Sequence, residues 1–235
     1  MENYTDFLNR ISYQKSVLQI GNGCFKPDKR VDEKVNPDNT FKHFYGDTIV
    51  FDLDSHTKNR ISEIIDILYA ETPECFCEKL DKNTIHMTLH DLSASDCLEN
   101  VSSEVFHNEV RLLQVLNDNP QKSRTIKMKT NFIVNMVSTS LVLTLVPENE
   151  KEWNKLQMLY DLVNQVKVCP YPYLTPHITV AYFSHDGFDE RSAQKLSAVV
   201  YECNQKSFEI TLDTHQLYYQ KFVSMNQYIP VFHLF

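Results

Sequence analysis

The sequence predicts an α+β protein of two pseudo-symmetric lobes sharing one cleft, and three observations carry the prediction. Segments with the alternation of strands and segments with helical periodicity follow one another along most of the chain. Two short stretches, Ile85-His86-Met87-Thr88-Leu89 and Pro176-His177-Ile178-Thr179-Val180, nearly repeat each other 91 residues apart. Both are reached through the same strand–helix approach, Val50 preceding His86 by 36 residues and Val142 preceding His177 by 35. An internal repeat of this kind sets the two histidines at equivalent positions of two lobes, whose matching strands can point into a common cleft.

In chain order, a short amphipathic segment with Phe7, Leu8 and Ile11 leads through Gly21-Asn22-Gly23 into a polar stretch with Pro27, Pro37 and Asp-Asn turn residues. Residues 1–45 therefore read as an extension wrapped over a single bilobal domain, residues 46–235. Thr48 to Leu53 has the β-branched character of a strand. Ile61, Ile64, Ile65 and Leu68 recur at helical spacing before the strand of His86 and Thr88. A second helix, with Val105, Val110, Leu113 and Leu116 as its apolar face, ends at Asn117-Asp118-Asn119-Pro120. Thr125 to Val137 alternates as a strand, and the order then returns: strand Ser140 to Val146, helix Glu150 to Val166, strand Leu174 to Phe183 and helix Ala193 to Cys203. Two closing strands are expected at about 208–222 and 227–234.

Composition bounds the partners. At 235 residues, 42% hydrophobic and 23% charged, the chain can bury a substantial core. A net charge of −8 argues against the broad basic surface that grips long nucleic acid, while a local pocket of donors can still hold a small anion. The six cysteines, Cys24, Cys75, Cys77, Cys97, Cys169 and Cys203, include no Cys-x-x-Cys pair and read as reduced thiols of a cytoplasmic protein. Met1 to Arg10 lacks the apolar core of a secretion signal, and no apolar run has membrane-spanning length.

The two repeated stretches carry the chemistry. On a strand, residues two apart share a face, so each histidine stands beside a threonine hydroxyl. With nine histidines and 31 Ser plus Thr, about one His-x-Ser/Thr is expected by chance, so the weight lies in the repeated setting and not in the motif alone. An unperturbed imidazole titrates near neutral pH and can serve as general acid or base; a pair can do both.

Paired His-x-Thr motifs, one in each half of a chain of this size, resemble the two-histidine (2H) phosphoesterase superfamily, which includes 2′-5′ RNA ligase-like proteins (LigT) and cyclic nucleotide phosphodiesterases. The resemblance implies the bilobal LigT-like fold, with two antiparallel-rich sheets facing a central cleft and helices outside. It also implies catalytic His86 and His177, with Thr88 and Thr179 binding the substrate phosphate. The implied activity is metal-independent phosphodiester hydrolysis on a small nucleotide or RNA terminus bearing a 2′,3′-cyclic phosphate, a 2′-5′ linkage or a cyclic oligonucleotide, without a cofactor. Gly46-Asp47-Thr48 resembles a microbial branch with Gly-Asn/Asp-Thr before the first strand.

Tyr45, His90 and Tyr173 are further candidates for base stacking or substrate contact, with a capping or surface role the simpler expectation for His90. Tyr171, Tyr182, Phe183 and Phe44 cluster near the motifs, core packing being the simpler reading, and Lys127 and Lys129 share a strand face that is either solvated or near a phosphate. The alternatives are a nucleotide or RNA-end binding module without useful turnover, and RNA 2′-5′ ligation. A histidine-rich metal protein is disfavoured, since His-Glu-x-x-His and His-x-His are absent.

Overall fold

The computed structural model describes residues 2–17, 19–21, 23–120, 122–170 and 173–235; Asn22 and Tyr171 lie outside them. Its elements are α1 (Tyr4–Val17), β1 (Tyr45–Asp52), α2 (Ser55–Glu71), β2 (His86–Ser95), α3 (Leu98–Asp118), β3 (Thr125–Met136), β4 (Ser140–Pro147), α4 (Glu150–Val163), β5 (His177–Tyr182), α5 (Glu190–Cys203), β6 (Glu209–Asp213), β7 (Leu217–Ser224) and β8 (Gln227–His233). They form two four-stranded antiparallel sheets, ordered β2-β1-β7-β8 and β5-β4-β3-β6, in the two-lobed α+β arrangement that the sequence predicts. The sheets meet at their edge strands β2 and β5, while α3 lies against β1 and β2, α4 against β3 and β4, and α2 against α5.

Local chemistry explains the helix starts. Asp54, Asn149 and Asp189 each accept the backbone N–H three residues on, satisfying one of the donors that the first turns of α2, α4 and α5 leave free. In α2, Thr57, Ile61, Ile65 and Leu68 form the buried stripe. The start of α1 joins the same core: Phe7 stacks on Trp153 of α4 at 4.3 Å, and the Tyr4 hydroxyl donates to the Pro147 carbonyl at 2.8 Å.

Two sequence expectations are corrected. The strand expected over 208–222 is two strands in different sheets, β6 beside β3 and β7 beside β1. Between them Thr214 is buried, its backbone N–H and its Oγ1 tied to the Arg124 backbone, and the Asp213 side chain accepts from the His215 N–H. Apolar periodicity runs through this turn because both halves of the segment are buried, so periodicity alone misses the break. The second correction concerns α3, which buries Val101, Asn108, Leu112 and Val115, whereas Val110 and Leu113 of the expected apolar face are exposed. Asn108 sets that rotation: its amide donates to both carboxylate oxygens of Asp47 and to Ser93 Oγ, drawing a polar residue onto the sheet.

Asp47 is itself almost wholly buried, and it also accepts from the Ser93 N–H and the Tyr219 hydroxyl. Beside it, a Cβ on Gly46 would fall 2.1 Å from the Ser93 carbonyl oxygen, so this strand crossing requires glycine.

Candidate active site

The two repeated stretches occupy equivalent places in the two sheets. His86 is the first residue of β2 and pairs across to Asp52; His177 is the first of β5 and pairs across to Thr144. Thr88 pairs with Val50 and Thr179 with Val142, the two residues whose spacing marks the repeat in the sequence. Each strand then carries an extra residue immediately after the threonine, Leu89 in β2 and Val180 in β5, so the ladder resumes at His90 opposite Ile49 and at Ala181 opposite Leu141. The halves thus agree in register, motif and bulge.

The imidazoles are held alike. His86 Nδ1 lies 2.6 Å from the Thr84 carbonyl oxygen, and His177 Nδ1 lies 2.7 Å from the Thr175 carbonyl oxygen. A carbonyl only accepts, so in both rings Nδ1 carries a proton, and Nε2 is the nitrogen left to accept or donate one. Different devices present the two carbonyls. Before His86, the Asp81 side chain accepts from the Asn83 N–H to cap a single 3₁₀ turn over Lys82–Thr84. Before His177, Arg10 of α1 donates to Thr175 Oγ1 at 2.8 Å and to the Leu174 carbonyl at 2.9 Å, and its Nε and Nη2 also donate to the Glu2 carboxylate. In sequence the pattern is longer than His-x-Thr: it is Thr84-Ile85-His86-Met87-Thr88 against Thr175-Pro176-His177-Ile178-Thr179. The threonine two places before each histidine was a signal available from the chain alone.

His86, Thr88, His177 and Thr179 line one cavity of about 720 Å³ between the sheets. The Thr88 hydroxyl has no hydrogen-bond partner among the described residues, and the Tyr182 hydroxyl, on another lining residue, donates to Met225 Sδ at 3.1 Å. The Tyr228 ring meets the His86 ring edge-on at 4.9 Å. Burial lowers the His86 pKa to about 4, opposed by its bond to Thr84 and by the Asp91 and Asp52 carboxylates. Burial also raises Asp47 to about 6, its hydrogen bonds opposing the rise.

The remaining candidates divide. Tyr173 stands half-exposed on the cavity rim, its ring centroid 5.5 Å from the Arg10 guanidinium carbon. His90 also lines the cavity, but a capping or surface role is overturned, because it lies within β2 and is 2% exposed. The extra residue Leu89 breaks the alternation that would align His90 with His86 and Thr88. Its ring packs 5.3 Å from Tyr160, Nε2 is 3.2 Å from Asn164 Oδ1 and Nδ1 is 2.7 Å from the Asp91 carbonyl. Tyr45 is not among the cavity-lining residues: it shares the β1 face of Asp47, which is turned to α3, and its ring stacks at 5.8 Å on His43. Lys127 and Lys129 border a separate groove beside α1, Phe183 is in the core, and Tyr182 and Phe44 are buried side chains that line the cavity.

By sequence the chain matches no family model and no curated protein. By structure it is similar to the conserved protein of unknown function ATU0111 from Agrobacterium tumefaciens str. C58, with a TM-score of 0.70 and 12% identity over 89% of this chain and 94% of that one. The chain has that protein's fold. More distant similarities are to E. coli LigT in its apo form, with a TM-score of 0.47 and 17% identity over 81% of this chain and 96% of that one, and to TT0787 of Thermus thermophilus, with 0.46 and 11% over 79% and 94%. No helix among the described residues is long and apolar enough to cross a membrane.

Proposed function

We propose that this protein is a metal-independent phosphodiesterase acting on a small nucleotide or RNA terminus through His86 and His177. The observation that carries the reading is the matched anchoring of the two rings: each donates from Nδ1 to a carbonyl two residues back, in one cavity, with Nε2 left to exchange a proton. A 2′,3′-cyclic phosphate, a 2′-5′ linkage and a cyclic oligonucleotide all present a diester that this pair can open.

In hydrolysis, one Nε2 takes the proton from water as its oxygen bonds to phosphorus; the bond to the leaving ribose oxygen breaks, and that oxygen takes a proton from the other imidazole. Burial keeps His86 neutral near pH 7, which suits it to receive the first proton and leaves the donor's part to His177. Thr88 and Thr179 stand two residues beyond the rings, where hydroxyl donors stabilise charge on the non-bridging oxygens. Tyr173 and His90 supply rim and wall contacts to the rest of the substrate.

The test is turnover of a 2′,3′-cyclic nucleotide and a 2′-5′ dinucleotide with EDTA present, by wild type, His86→Ala and His177→Ala. The expected result is EDTA-resistant turnover with a bell-shaped pH profile, falling about 10²-fold or more in each variant. Full activity in both variants, or loss of activity with EDTA, would overturn the reading.

A further inference from the structure

We propose that Lys34 forms a second anion subsite in the same cavity, reading a terminal phosphate monoester on the substrate apart from the diester at the histidines. The proposal rests on the phosphodiesterase reading only in taking the ligand to be a nucleotide. Arg10 and Lys34 are the lysine and arginine side chains among the described residues that line the cavity. Arg10 is already committed to Glu2, Thr175 and the Leu174 carbonyl. Lys34 Nζ has no hydrogen bond or ion pair among the described residues; it lies 5.1 Å from the Phe44 ring centroid and 5.5 Å from that of Tyr182.

Ring faces attract an ammonium but accept none of its N–H donors in the way an oxygen does. An enclosed charge in that state is unfavourable until a counter-ion arrives, and burial accordingly lowers the Lys34 pKa, with Asp91 and Glu33 opposing from beyond ion-pair distance. Tyr182, whose ring faces Lys34, lines the same cavity as Thr179. A second unmet group points the same way: Gln14 of α1 lines the cavity and its buried Oε1 has no hydrogen-bond partner. Three ammonium donors suit a phosphate monoester, and the Gln14 acceptor, on the wall of the same cavity, suits a donor group of the same ligand. Lys34 and Gln14 both come from the first 45 residues, so the segment that covers the domain also equips its cavity.

The experiment measures, by calorimetry, the affinity of the wild-type protein, K34M and K34R for a 2′-5′ dinucleotide with and without a 5′-phosphate. Wild type is expected to favour the phosphorylated ligand by about tenfold or more, as a charge-assisted contact allows. K34M is expected to bring that ratio near one and K34R to retain most of it; reading the ratio within each variant removes any general loss of stability. A wild-type ratio near one, no binding of the phosphorylated ligand, or an unchanged ratio in K34M would overturn the subsite. Turnover on the same two ligands separates the readings: preference without turnover keeps the subsite and sinks the enzyme, while turnover without preference does the reverse.

Discussion

Asp47, buried, and His86, partly buried, should titrate in opposite senses across one pH window, and stability measurements can separate them. The Asp47 pKa stands at about 6 in the folded protein, above the ordinary carboxylate value, so between roughly pH 6 and 4 the folded state binds the proton first and acidification stabilises it. His86 is at about 4, below the ordinary histidine value near 6.5, so over that interval the unfolded state binds the proton first and acidification destabilises the fold. Taking pH 7 to pH 4, linkage gives about 2 kcal/mol gained through Asp47 and about 3 kcal/mol lost through His86, which nearly offset. The perturbations are Asp47→Asn and His86→Gln, read by urea unfolding at several pH values against wild type, so that the other carboxylates cancel in the difference. Asp47→Asn should lose about 2 kcal/mol relative to wild type on going from pH 7 to 4, and His86→Gln should gain about 3 kcal/mol. Curves for either variant that run parallel to wild type would refute the assignment for that residue.

Three further outcomes are expected. Phe7→Ala should lower stability by about 3 kcal/mol in chemical unfolding, because the fully buried ring leaves a void against Trp153. In the β3–β4 turn Val137 and Ser138 hold φ of 47° and 56°, so Ser138→Gly should raise stability by about 1 kcal/mol, measured as a higher thermal midpoint, less the weak 3.4 Å bond that Ser138 accepts from Asn135. Thr88→Val should lower phosphodiester turnover by about 10²-fold with the fold intact, because it removes a free hydroxyl from the cavity; unchanged kcat would exclude Thr88 from the transition state.

Much of this was legible in the chain. The strand–helix order and the spacing from Val50 to His86 and from Val142 to His177 place both motifs in register, since Thr88 and Thr179 pair with those two valines. The periodic signal failed where tertiary bonding outweighed it. Asn108 turned α3 away from its more apolar face, because burying Val110 and Leu113 would have left Asp47 without its amide donor. The burial of His90 was not legible, because strand parity has to be counted through bulges and the extra residue Leu89 leaves no mark in the sequence. Lys34 was invisible, as it lies outside both motifs and reaches the cavity only through the packing of the first 45 residues.

The halves are equal in backbone and unequal in what surrounds them, and this division has a chemical consequence. Register, bulge and the Nδ1-to-carbonyl bond are backbone properties, and they recur around His86 and His177 although few side chains do. They set ring orientation and tautomer, the two things both histidines need whichever way the proton moves. The side chains differ: Tyr228 crowds His86, Arg10 braces the loop before His177, and His90 stands where the other half has Ala181. Orientation is therefore shared and environment is not, so direction of proton transfer and choice of substrate must come from the side chains. A substitution that exchanges environments without touching the backbone anchors, such as Tyr228→Leu beside His86, should shift the acidic limb of the pH–rate profile and leave the fold in place. An unmoved limb would show that burial by Tyr228 does not set the His86 proton affinity.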